Sequence, residues 1–171
     1  TALAARLPAA DVGRMDGLLG LLADAPFHGR ADLPQLAEES ALADAALLPL
    51  AHALSQLGLA QLDSGDLQLT PLGRRYVEGN HGLRQDIFGQ QLLAHVPLVA
   101  HIRRSLEAQD SGQLPDKTFL RLLREHLDEA EAAAVLTTAV AWARHGEVFE
   151  YDMRSGMLRL PTGEDDGAAA A

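Results

Sequence analysis

Residues 31–73 read ADLPQLAEESALADAALLPLAHALSQLGLAQLDSGDLQLTPLG, and this stretch decides the fold. Asp32 precedes a short apolar pattern with Gln35 three residues on, the spacing of a capping box, and Leu36 on the inward face. A longer helix opens near Asp44 and carries Leu47, Leu50, Ala51, Leu54 and Leu57. Pro49 falls in its early turns, where a missing amide is tolerated best, and Gly58 ends it in the left-handed conformation. Residues 59–62 and 66–69 then alternate around Asp63-Ser64-Gly65, which predicts a hairpin. Two helices followed by a hairpin predict the helix-turn-helix and wing of a winged-helix unit. Yet no lysine or arginine lies between Arg30 and Arg74, where Asp32, Glu38, Glu39, Asp44, Asp63 and Asp66 stand instead. Phosphates brought to such a surface meet repulsion in place of counterion-releasing contacts, so no nucleic-acid partner is expected.

Towards the N-terminus, Val12, Met15, Leu18, Leu19 and Leu22 recur at helical spacing behind Asp11, a candidate N-cap, and Pro26 and Gly29 break the pattern. Residues 1–10 read as a linker or frayed end, and the missing initiator methionine predicts a trimmed fragment. Towards the C-terminus, Thr70-Pro71 starts a helix, stopped by Gly79-Asn80-His81-Gly82. Residues 83–107 read as a long connecting helix, kinked or broken at Pro97.

The pattern then repeats. Pro115-Asp116 begins a helix with Phe119, Leu120, Leu123 and Leu127. Asp128, boxed by Glu131, begins another with Val135, Leu136, Ala139, Val140 and Trp142, stopped at Gly146. Residues 148–151 and 157–160 flank a turn as a second hairpin, and Asp32 to Asp44 spans the same twelve residues as Asp116 to Asp128. The expected fold is mainly α with small β-hairpins, as tandem winged-helix-like units over 11–82 and 83–162, with a disordered acidic and alanine tail at 163–171.

Charge and composition narrow the function. The 171 residues carry 24 acidic against 14 basic side chains, a formal charge of −10, which disfavours nucleic acid and anionic membranes. There is no cysteine, which excludes disulfides, thiolate metal sites and cysteine nucleophiles. The longest uncharged run, residues 45–62, contains Pro49, His52, Ser55, Gln56, Gly58 and Gln61 and reads as a helix running into a strand rather than a membrane span.

Catalytic and metal constellations are thin. The pair His95 and His101 is six residues apart, on different sides of a continuous helix, and His126 stands near Asp128 and Glu129, which helix capping explains. Zinc requires three or four convergent ligands, so no metal and no other cofactor is expected. No phosphate loop, Gly-x-Ser-x-Gly or His-Glu-x-x-His motif occurs, and enzyme action by this chain is not expected. Arg74, Arg75, Arg103 and Arg104 form a candidate anion patch, although pairing with surface carboxylates explains them as well. A candidate protein interface comprises Leu47, Leu50, Leu54, His95, Pro97, Leu98, Ile102 and Trp142, because a short winged-helix core is not expected to enclose every apolar side chain.

Three segments, Leu69-Thr70-Pro71-Leu72-Gly73-Arg74-Arg75, His95-Val96-Pro97-Leu98-Val99-Ala100-His101-Ile102-Arg103-Arg104 and Ala141-Trp142-Ala143-Arg144-His145-Gly146-Glu147-Val148-Phe149-Glu150-Tyr151-Asp152, together resemble one family. It is the AAA-associated C-terminal domain found behind the ATPase subunit of nitrate/sulfonate/bicarbonate-type ABC importers. The resemblance implies a cytoplasmic, non-catalytic regulatory or assembly domain, with the ABC ATPase domain and possibly a second copy as partners, and with a membrane reached only through the transporter complex. The alternatives are a winged-helix transcription regulator and a metal- or small-anion-sensing module.

Overall fold

A computed structural model describes residues 2–42 and 44–162. The order is a short 3-10 turn at Ala2–Ala4, α1 (Val12–Ala23), β1 (Arg30–Asp32), α2 (Leu33–Ser40), α3 (Asp44–Gln56), β2 (Ala60–Asp63), β3 (Asp66–Leu69), α4 (Pro71–Glu78), α5 (His81–His95), α6 (Pro97–Glu107), β4 (Gln113–Pro115), α7 (Asp116–Arg124), α8 (Glu129–His145), β5 (Glu150–Asp152) and β6 (Met157–Arg159). The fold is mainly helical with two small antiparallel three-stranded sheets, ordered β1-β3-β2 and β4-β6-β5, in two winged-helix-like arrangements.

The likeness of the two halves extends to single hydrogen bonds. The amide of Leu69 donates to the Gly29 carbonyl, and that of Leu160 to Gly112, which anchors the third strand of each sheet. The first residue of α2, Leu33, donates to Gly65 in the first wing turn, and Asp116 at the start of α7 donates to Gly156 in the second. All four of these glycines have positive φ, which a Cβ would strain. This pairing matches Asp32 with Pro115, each paired to the first residue of its wing strand, Asp66 or Met157. The aspartate spacing therefore marks a real repeat but one residue out of step. Asp32 caps α2 by accepting from the Gln35 amide at 2.7 Å, whereas the N-cap of α7 is Pro115 and Asp116 is its first helical residue.

The C-termini of α3 and α8 correct another expectation. Leu59 N donates to Leu54 O, and Val148 N to Ala143 O, the long-reach bond of a Schellman cap. Gly58 occupies the left-handed position in the first half as expected, at φ 73°. In the second half that position belongs to Glu147 at φ 55°, not to Gly146. Gly146 serves packing: a Cβ there would lie 2.8 Å from the Gly89 backbone, where α5 crosses the end of α8.

Pro49 lies inside α3 and leaves the Ala45 carbonyl without its helical partner on an exposed face. The expected kinked helix over 83–107 is two separate helices. Val96 sits between them at φ −120°, ψ 92°, the extended conformation that a following proline imposes, and Pro97 takes the first position of α6. The strands β1 and β4 went unread because three residues carry too little alternation to signal a strand. Residues 2–10, expected to be loose, pack down: Ala4 and Ala10 are buried, Arg6 pairs with Glu131 at 2.8 Å, and Trp142 Nε1 donates to the Ala10 carbonyl. The tail expected at 163–171 lies outside the described residues. Buried side chains from both halves form one continuous apolar cluster.

Candidate functional site

Thr70, Pro71 and Gly73 fix the passage from the first wing to the following helices. Thr70 Oγ1 accepts from the Gly73 amide at 3.0 Å, capping α4, and donates to the Gly58 carbonyl at the end of α3 at 2.7 Å. Gly73 is required because a Cβ would lie 1.9 Å from the Leu59 carbonyl oxygen. Further along α4, Tyr76 is buried and joins three elements. Its hydroxyl donates to Asp16 of α1 at 2.6 Å and lies 3.1 Å from His145 Nε2 of α8. A tyrosine has one proton, so with that proton on Asp16 it is His145 Nε2–H that donates to the phenolic oxygen.

Burial first, and then the bond to Asp16, hold the Tyr76 hydroxyl firmly protonated. The His145 imidazole is pulled below its ordinary value by burial, with Asp16 opposing and His81 reinforcing the shift. Arg84 closes the node, donating to the carbonyls of Tyr76 and Val77 at 3.0 and 2.7 Å while its guanidinium lies 5.6 Å from the Tyr76 ring centre. His145 also lines a surface depression of about 440 Å³ with Asp11, Val12 and Arg144, while the Tyr76 hydroxyl is held between Asp16 and His145, and the node is a polar tie between the halves. Sequence reading missed it, because Asp16, Tyr76 and His145 carry no common spacing.

The outward faces are those that a winged-helix protein uses for recognition. On α3 they present Ala45, Leu48 and His52, with Leu48 43% exposed and the acidic Glu38 and Glu39 exposed on neighbouring α2. A shallow depression of about 210 Å³ between the two helices is lined by Leu33, Pro34, Leu47 and Leu48. In the second half, α7, α8 and the β5–β6 wing enclose an apolar groove of about 260 Å³, floored by Leu120, Leu136 and Val140. Its edges are Tyr151, Met153, Arg144 and Asp116; Asp116 accepts from the Tyr151 hydroxyl at 3.0 Å.

Several expected site residues lie elsewhere. Leu50, Leu54, Leu98, Ile102 and Trp142 are buried in the chain's own core, and Leu47, buried as well, lines only the depression between α2 and α3. The third strands and the docked N-terminal segment enlarge that core beyond what the sequence patterns implied. Of the expected interface, His95 and Pro97 are exposed. Of the four arginines of the anion patch, Arg74 and Arg75 lie on α4 and Arg103 and Arg104 on α6. Arg74 reaches Glu78 at 4.0 Å, and Arg103 donates to the Val148 carbonyl and pairs with Glu107. The depression that Arg103 and Arg104 share also contains Asp86, Glu107 and Glu147, an unfavourable lining for an anion. Among the described residues no three His, Asp or Glu side chains converge to hold a metal, and His101 instead stacks edge-on against Phe119.

The sequence matches the family described as the C-terminal AAA-associated domain over residues 34–152, from α2 through β5. The chain belongs to this family. No curated protein and no solved structure matches it. Membership makes this AAA-associated domain an accessory, non-catalytic part associated with an ATPase. The three segments that carried the resemblance perform structural tasks in the domain. They cap α4 against α3, separate α5 from α6 at Pro97, and close α8 against α5 at Gly146. No helix among the described residues is long and apolar enough to cross a membrane.

Proposed function

We propose that the chain is a regulatory or assembly domain at the C-terminus of an ABC importer ATPase of the nitrate/sulfonate/bicarbonate type, acting at the cytoplasmic face through that complex. The observation that carries this reading is family membership on a winged-helix-like fold whose first recognition face lacks every cation that DNA binding needs. An accessory domain biases an ATPase only by making different contacts in its open and closed states. The experiment compares ATP turnover and substrate uptake by the reconstituted importer, with this domain intact and with it removed. A change in turnover or in its coupling to uptake supports the reading, and identical behaviour overturns it.

The winged-helix-like fold also favours a transcription regulator, which a duplex-DNA titration at low salt tests, since phosphate contacts are strongest there. Tight, sequence-selective binding selects the regulator. Weak binding that salt abolishes selects the assembly role.

A further inference from the structure

Among the described residues only three large apolar side chains are exposed, Leu48, Leu93 and Met153. Two of them stand on the recognition faces, Leu48 on α3 and Met153 at the tip of the second wing, and Met153 is 77% exposed. The charges around these two places are of opposite sign and unspent. On α2, which packs against α3, Glu38 and Glu39 are exposed and enter no ion pair among the described residues. The one arginine of that sheet, Arg30, is held by Asp63 and Asp66.

At the groove the balance is reversed. Arg144 lines it, Lys117 and Arg121 follow Asp116 and Leu120 by one residue on α7, and Arg154 follows Met153 in the wing. All four cations are exposed and enter no ion pair among the described residues. Several nearby carboxylates have partners of their own, while Glu147, which lines a neighbouring depression with Arg144, enters no ion pair among the described residues. Asp116 accepts from Tyr151, Asp128 caps α8, Glu129 pairs with Arg124, Glu150 pairs with Arg159, and Asp152 holds the wing turn. One face is thus an apolar knob beside an acidic helix, and the other an apolar groove with Arg144 on its edge and further exposed cations on α7 and in the wing.

We propose that these two faces bind each other between two copies of this chain, with Leu48 of one copy seated in the α7–α8–wing groove of the other. Glu38 and Glu39 then meet the cations around that groove. The apolar contact removes exposed surface from water, and the charge pattern fixes which face meets which. Met153, with a flexible thioether side chain, adapts the groove to the knob. The net charge of −10 repels copies at long range, but at physiological salt that repulsion is screened beyond about 8 Å while the contacting pairs are not. The proposal names the self-partner of the assembly reading and rests on it only in part, since self-association is measured without any transporter component.

The test uses two exposed-surface variants of the full chain. Leu48→Arg spoils the knob and keeps the groove; the double variant Arg144→Glu, Met153→Asp spoils the groove and keeps the knob. Circular dichroism and melting temperature verify that both keep the fold. In sedimentation at physiological salt, the wild-type chain is expected to self-associate as its concentration rises, while each variant alone is weakened about tenfold or more. An equimolar mixture of the two variants is expected to form a one-to-one complex, because one supplies a working knob and the other a working groove. A wild-type chain that stays monomeric, a variant that associates like wild type, or a mixture that stays monomeric overturns the contact. A monomeric chain whose presence still alters its ATPase refutes this contact and leaves the accessory role standing.

Discussion

The two halves of the chain share one topology and differ in how each ends its long helix. In the first, Leu57 precedes Gly58, so a large apolar side chain packs inward and glycine takes the left-handed turn. In the second, Gly146 precedes Glu147, so the glycine is spent on the close crossing with α5 and a glutamate takes the strained turn. The same cap is thus built twice with the two requirements exchanged. The difference teaches that the second half, and not the first, gave up local comfort for a long-range contact: α8 alone passes against α1, α5 and α6. Charge follows the same asymmetry. No lysine or arginine lies on α3, whereas α8 carries Arg144, which enters no ion pair among the described residues.

The largest effect expected from this comparison is at Trp142, whose place relative to the cap belongs to the small Ala53 in α3. Trp142 is fully buried and bonds to Ala10, so Trp142→Ala is expected to cost about 3–5 kcal/mol in a denaturant titration. A cost near 1 kcal/mol, the scale of an ordinary substitution, would remove α8 from its role as the tie between the halves. Next is Gly146→Leu, which gives α8 the residue type found before the left-handed turn of α3. Its Cβ would press on the Gly89 backbone at 2.8 Å, and the expected loss is about 2–3 kcal/mol. A neutral result would mean that α5 and α8 separate freely.

The polar tie sharpens the comparison through pH. Tyr76→Phe leaves Asp16 and His145 without their shared partner and is expected to cost about 1 kcal/mol. His145 has a folded pKa below its ordinary value, so between the two values the unfolded chain binds more protons and stability rises with pH. That contribution is fully present above about pH 6.5 and declines as pH falls from there towards the folded pKa. Melting temperatures across pH 5–8 for wild type and His145→Gln would show the variant with the shallower acid decline. Equal slopes would show that His145 does not set the decline.

The smallest effects are at the caps themselves. Glu147→Gly relieves a non-glycine residue in the left-handed region and is expected to gain about 0.5–1 kcal/mol, whereas Gly58→Ala is expected to lose about 1 kcal/mol. Opposite signs in thermal melts confirm the exchange between the two helix ends. Equal signs would break it.

Much of this fold is legible in the chain as written. Asp11, Asp32, Thr70 and Asp128 each cap a helix by accepting a backbone amide, because capping depends on neighbours within three residues, while Asn80, read only as part of a stop, caps α5 as well. The wing hairpins were legible for a similar reason, through alternation around Asp63-Ser64-Gly65 and around the second turn. Pro97 announced a break at its own position, through a constraint on the residue before it. Which apolar side chains stay exposed was not legible. Periodicity shows that Leu47, Leu50 and Leu54 share a face, but not how much chain will cover it.

The sequence by itself determined most of the helices, the caps at Asp11, Asp32, Thr70 and Asp128, the repeated topology, the family and the absence of cations from residues 31–73, since each depends on residue type and short spacing. Only the tertiary structure decided that residues 2–10 dock on α8, that Gly146 faces Gly89, and that Glu147 bears the strained turn. It alone brought Asp16, Tyr76 and His145 together and left Leu48 and Met153 outside. These are contacts between distant segments, set by the volume and close packing of the whole core, and no local pattern encodes which distant atom will arrive.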